Sequence, residues 1–194
     1  MKHLILSSLA LIVSGAAVAQ HSHTPPSPYA GEDARAIKSL SDDDIAELRR
    51  GGGWGLAKAA ELNGLPGPAH LLELKDEIPL SAEQVSAIER IFERMRADAI
   101  AEGERLIARE RVLEEGFRAR SVTEDGLRAL LRDIGESRSA LRYIHLTAYL
   151  SASAVLSVQQ VARYNALRGY RSDPCATMPE GHDAALWRKH QGCE

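Results

Sequence analysis

Cysteine is scarce in this 194-residue chain, basic charge is not in excess, and long apolar runs are missing. Its two cysteines, Cys175 and Cys193, both fall in the C-terminal tail, which excludes a scaffold held by several disulfides. With 24 basic and 27 acidic side chains the net charge is −3, so nothing favours nucleic acid as a partner. The apolar run from Leu4 to Val13 is too short for a comfortable membrane span, and nothing later approaches one. No segment sustains period-two alternation, so no strand is expected. Gly51-Gly52-Gly53-Trp54-Gly55 lacks the Gly-Lys-Ser/Thr ending and the preceding strand of a phosphate loop, and reads as a hinge between helices. Nucleophile–base pairs, telling carboxylate pairs and cofactor loops are also missing, so a non-enzymatic protein with no required cofactor is expected.

What is present starts with an export signal. Lys2 supplies a positive charge, Leu4 to Val13 an apolar stretch, and Ala17-Val18-Ala19 a small-residue cleavage site. That order predicts a cleavable signal peptide over residues 1–19 and a soluble periplasmic product. Removing Lys2 leaves 23 basic against 27 acidic side chains, a net charge of −4. Residues 20–40 are poor in apolar side chains and include Pro25, Pro26 and Pro28, so they read as a flexible segment. A helical domain is expected over 41–170 and a Cys- and His-containing tail over 171–194.

Ser41-Asp42-Asp43-Asp44 predicts a capped short helix running to about Arg50, with acidic side chains at its positive end. Further short helices are expected from Leu56 to Asn63 and from Pro68 to about Lys75. Two more starts share one pattern, Leu80-Ser81-Ala82-Glu83-Gln84 and Leu156-Ser157-Val158-Gln159-Gln160. In each, the serine oxygen can accept from the N–H three residues on, and the glutamine there can reach back to the serine N–H. From Ala82 to about Ala119 a narrow stripe of Val85, Ile88, Phe92, Met95, Ala99, Leu106, Leu113 and Gly116 predicts one long helix, with Glu102 and Arg109 in the seam. Ser121-Val122-Thr123-Glu124 caps a return helix whose stripe is Leu127, Leu131, Ile134, Arg138, Leu141, His145, Ala148, Ala152 and Val155. The last helix carries Val161, Tyr164 and Leu167 and can end at Gly169. The expected fold is all-α, a long antiparallel helical hairpin with short flanking helices. A helix of about 38 residues spans roughly 57 Å. Two such helices with one narrow stripe each enclose little core, so short helices at one end and a second subunit are expected to complete the burial.

The twin Leu-Ser-x-x-Gln boxes, the charged hairpin between them and the signal peptide resemble the Spy/CpxP family of periplasmic proteins. That family is named for a repeated Leu-Thr-x-x-Gln motif; here serine replaces threonine and keeps the capping chemistry. The resemblance covers about residues 68–170, and Trp54 to Glu73 is similar to the N-terminal part of members described as refolding chaperones or heavy-metal sensors. It implies a dimeric all-α cradle that acts as an ATP-independent chaperone for unfolded or stress-damaged envelope proteins, or as an adaptor for a membrane sensor kinase. Relatives of the CnrX and ZraP types imply the alternative, a periplasmic sensor or resistance protein binding zinc, copper or nickel.

Residue by residue, two apolar patches beside guanidinium groups are candidates for client binding: Phe92 and Met95 with Arg96, and Leu127 and Leu131 with Arg132. Arg118, Arg120, Arg128, Arg132, Arg138 and Arg142 read mostly as a solvated face. For a metal, His145 on the apolar stripe is the histidine to watch, with His70 or Glu102 as partners, although Tyr149 one turn on is a poor ligand. His21 and His23 follow the expected cleavage point, and His182 and His190 join Met178 and the two tail cysteines as soft donors. In an oxidising compartment Cys175 and Cys193 are instead expected to form a disulfide.

Overall fold

The computed structural model describes residues 27–170 and 183–191. Residues up to Asp33 and those from Ala34 onward form two units. In the first, Ser27 to Glu32 make tight turns, with the Ala30 N–H donating to the Ser27 carbonyl at 2.9 Å. The second unit holds seven α-helices and, among the described residues, no strand: α1 (Asp42–Arg49), α2 (Lys58–Glu61), α3 (Pro68–Glu73), α4 (Ala82–Arg118), α5 (Glu124–Ala154), α6 (Val158–Leu167) and α7 (Ala184–Gln191). No described helix is long and apolar enough to cross a membrane. The expected all-α hairpin is therefore the observed architecture, with α4 and α5 packed along each other.

Local chemistry sets the helix boundaries. Ser41 boxes the start of α1 with Asp44, whose carboxylate accepts from the Ser41 N–H at 2.9 Å and is held below the usual range by that serine and the Trp54 indole. At the far end of α1, the Gly52 N–H reaches the Glu47 carbonyl at 2.9 Å and the Gly51 N–H reaches that of Leu48 at 3.2 Å. This double closure needs a left-handed residue after the cap, which Gly51 supplies at φ 70°. The same closure ends α6 at Gly169, φ 72°, and α4 at Arg120, φ 52°.

The two serine–glutamine boxes form as expected and also interlock. Each glutamine amide donates to the side-chain oxygen of the other at 2.9 Å, Gln84 Nε2 to Gln160 Oε1 and the reverse. Gln84 Nε2 also reaches the Val155 carbonyl at 2.7 Å, and Gln160 Nε2 the Pro79 carbonyl at 2.7 Å. Each glutamine oxygen still accepts from its own serine N–H, at 2.9 and 2.8 Å. Two helix starts 76 positions apart in the chain are thereby tied into one base.

Packing corrects several sequence expectations. The segment read as flexible buries Ile37 and Leu40, each 1% exposed, in a core with Leu48, Ala99, Leu106, Ile107, Ile134 and Leu141. Helix α1 lies along the middle of α4 rather than at one end, so close at Gly103 that a Cβ there would stand 2.7 Å from the Leu48 carbonyl oxygen. Helix α1 at Gly103, the Ile37–Leu40 core at Ile107, and Ser39 and Arg138 bonded to Glu110 explain why these three residues are buried off the expected stripe. On α5, Leu131 is 51% exposed, while Ser137 and Tyr149 are buried. Arg138, expected on a mostly solvated face, is partly exposed but engaged: it pairs with Glu110 at 2.7 Å and stacks 5.1 Å over Trp54. A separate core at the base joins Leu71, Ile78, Ile88, Ala152 and Tyr164.

Candidate functional site

Two concave surfaces flank Met95 and stand out from the helical packing. One is a groove of about 550 Å³ along α4 and α5, floored by Ile91, Ile144, Ala87 and Ala148. Tyr143, 69% exposed, forms one lip, and Arg90 and Arg94 with Asp98 line the other. Helical spacing explains the placement, since Ala87, Ile91, Arg94 and Asp98 follow steps of three and four along one face of α4. Sequence reading missed this line because the stronger stripe beside it, Ile88, Met95 and Ala99, faces the core. Its signal was present in the same spacing.

The other surface is a cavity of about 330 Å³ bounded by the Gly51–Gly53 turn, α3, α4 and α5. Its walls include Phe92, Met95, Pro68 and Tyr149, with His70, His145, Arg50 and Arg96. Backbone packs tightly around it. A Cβ on Gly67 would meet the Tyr149 ring at 2.6 Å, and one on Gly51 the Arg96 carbonyl at 2.8 Å. Trp54, held at φ 42°, is fixed by its indole N–H donating to Asp44 at 2.8 Å and by the overlying Arg138. The glycine run expected as a hinge between helices also forms one wall of this cavity.

Beside the cavity, Glu61 gathers a polar node. It accepts from Tyr170 at 2.7 Å, Arg168 at 2.6 Å and Tyr149 at 2.9 Å, and His70 lies 3.7 Å away. Burial raises the Glu61 pKa, but the Tyr170, Arg168 and Tyr149 bonds outweigh it and hold the carboxyl below its ordinary value. Burial, then the Glu61 charge, pushes the Tyr149 phenol well above its usual value, and burial raises Tyr164 to about 12.

The sequence-expected sites are redistributed. Met95 is buried and Phe92 half-buried, so with Arg96 they line the cavity instead of forming an open client patch. Leu127 is half-buried, whereas Leu131 and Arg132 are exposed on α5. The metal set is not assembled. Glu102 is occupied by Ser137 at 2.6 Å and by Arg105. Among the described residues no group of three or more His, Cys, Asp and Glu side chains is placed to hold an ion. His70 and His145 do share the cavity, and the buried His70 Nδ1 and His145 Nε2 lack hydrogen-bond partners. Burial pushes the His145 pKa below 6.5 against the opposing Glu47 charge and Gly52 backbone, so the ring is neutral at pH 7. The signal peptide, His21, His23, Cys175, Met178, His182 and Cys193 lie outside the described residues, as does the side chain of His190 on α7. No family model, no curated protein and no solved structure matches the chain.

Proposed function

We propose that this chain is a periplasmic, non-enzymatic binding protein of the Spy/CpxP kind, which holds unfolded envelope proteins without ATP or serves as an envelope-stress adaptor. The observation that carries this reading is the groove on the hairpin. It sets Ile91, Ile144 and the exposed Tyr143 beside Arg90 and Arg94, which have no ion-pair or hydrogen-bond partner among the described residues. Long-range attraction brings an acidic unfolded segment to such a surface, and shallow apolar contacts hold it loosely enough to let go. The export signal and the twin boxes read from the sequence support the same assignment. Pairing of two copies extends the surface, and light scattering of the mature protein measures that pairing.

Aggregation of a reduced or denatured client, followed at stoichiometric protein, tests the chaperone function. Suppression by the wild type and its loss in Ile91→Ser/Tyr143→Ser is the expected result; no suppression across several clients refutes it. A heavy-metal sensor, the alternative, would have to draw its donors from outside the described helical body, because Glu102 is engaged and no three-donor group forms there. Titration of zinc, copper and nickel into the mature protein tests it, and affinity weaker than about 1 mM removes it.

A further inference from the structure

We propose that the cavity behind the Gly51–Gly53 turn is a binding site for a small apolar carboxylic acid, a property separate from client holding. Its volume of about 330 Å³ lies at the lower end of the range for small-molecule sites, about 300–1,000 Å³. Phe92, Met95, Pro68 and the Tyr149 ring give it a mainly apolar wall suited to one ring or a short branched chain. Glycine sets two of its walls: a Cβ on Gly67 would run into the Tyr149 ring and one on Gly51 into the Arg96 carbonyl oxygen, so neither position accepts a side chain.

Charge decides the class of ligand. Two arginines and two histidines line the cavity, and no carboxylate does. The Arg50 charge is matched by Glu47, which also accepts from the Trp54 N–H at 3.4 Å. Arg96 is unmatched: it is exposed, its side chain passes Gly51, and it makes no ion pair or hydrogen bond among the described residues. A cation entering this space meets uncompensated positive charge, whereas an anion finds a guanidinium able to take both carboxylate oxygens. The buried His145 adds a wall nitrogen without a partner, so an acid that also carries a hydroxyl is favoured over one that does not.

Phenylacetate, 4-hydroxyphenylacetate and phenethylamine are suitable probes, titrated into the full-length mature protein by calorimetry and ligand-observed NMR. Both acids are expected to bind saturably at one site, the hydroxylated one more tightly, and the amine not at all. Arg96→Glu is expected to weaken the acids at least tenfold, and Ala69→Phe, which fills the cavity, to abolish binding. Thermal unfolding and client protection of both variants report whether the fold and the groove are intact. If Ala69→Phe fails to fold, Arg96→Glu on the surface still decides the matter. Equal binding of acid and amine, acid binding unchanged by Arg96→Glu, or no saturable acid binding would each overturn the proposal, whatever the aggregation assay shows.

Discussion

The two ends of the hairpin solve the same problem, how to stop and restart a helix, with unequal means. At the base, α4 and α6 each begin at a serine–glutamine box, and the two glutamines join in a reciprocal pair half-shielded from water. Leu71, Ile78 and Tyr164 pack beneath them, each at most 1% exposed. At the distal end, Thr123 caps α5 through the Gly126 N–H at 3.2 Å, with glycine where the boxes have glutamine. Phe117 there is 58% exposed and Leu131 51%. Even the left-handed closing residue differs: Gly169 follows α6, but Arg120 follows α4. One end is cross-braced between two helix starts, whereas the other has a local cap and only exposed bonds from Ala36 and Lys38 to Arg118 and Glu114, so fraying and opening are expected to start at the tip.

The largest test of that contrast is apolar truncation. Leu71→Ala removes a fully buried side chain and is expected to cost about 2–5 kcal/mol in urea unfolding, whereas Leu131→Ala at the tip should stay within about 0.5 kcal/mol. Comparable losses at both positions would erase the distinction. Next comes Gln84→Ala, which strips partners from the Ser81 N–H, the Val155 carbonyl and Gln160 together. A loss of about 1–3 kcal/mol is expected. Adding Gln160→Ala should cost less than its own single effect, because the two amides act as a pair.

Between the ends, His145 links stability to pH. Its folded pKa lies below 6.5, so the unfolded chain takes up the proton first as pH falls. Stability is therefore complete above about pH 6.5 and declines as pH drops from there toward the folded pKa. In His145→Phe that part of the slope should vanish when unfolding is measured from pH 7.5 to 5; an unchanged slope would assign it to other groups. Smaller still is Thr123→Ala, expected to cost about 1 kcal/mol and to raise amide exchange in the first turn of α5 only. Last, Arg120→Gly relieves a side chain at φ 52° and should stabilise by about 0.5–1 kcal/mol, where the same exchange elsewhere on α4 would destabilise.

Sequence reading fared differently on the two halves of the problem. Helix starts were legible because a cap is a contact between residues three apart: Ser41, Ser81 and Ser157 cap where expected, and within the expected Ser121–Glu124 cap Thr123 takes the role. The seam was legible at Ile88, Met95, Ala99, Leu106, Ile134 and Leu141, since one packing partner imposes one helical period. It failed at Ile107, Glu110 and Ser137, where a second element or a buried polar pair intrudes on α4 or α5. The candidate sites fared worse, because Phe92, Met95 and Arg96 read the same on a groove, a core or a cavity until the neighbours are known.

Local order was thus determined by the sequence itself: helices, their caps, their turns and the existence of a hairpin, all governed by spacings of a few residues. Tertiary structure alone decided that Ile37 and Leu40 are core, that Gln84 and Gln160 meet across 76 positions, and that Arg138 is held between Glu110 and Trp54. It also decided that Arg50, His70, Arg96 and His145 surround one cavity. Those placements depend on which faces of α4 the short helices cover, and no periodicity within a single helix encodes the position of another.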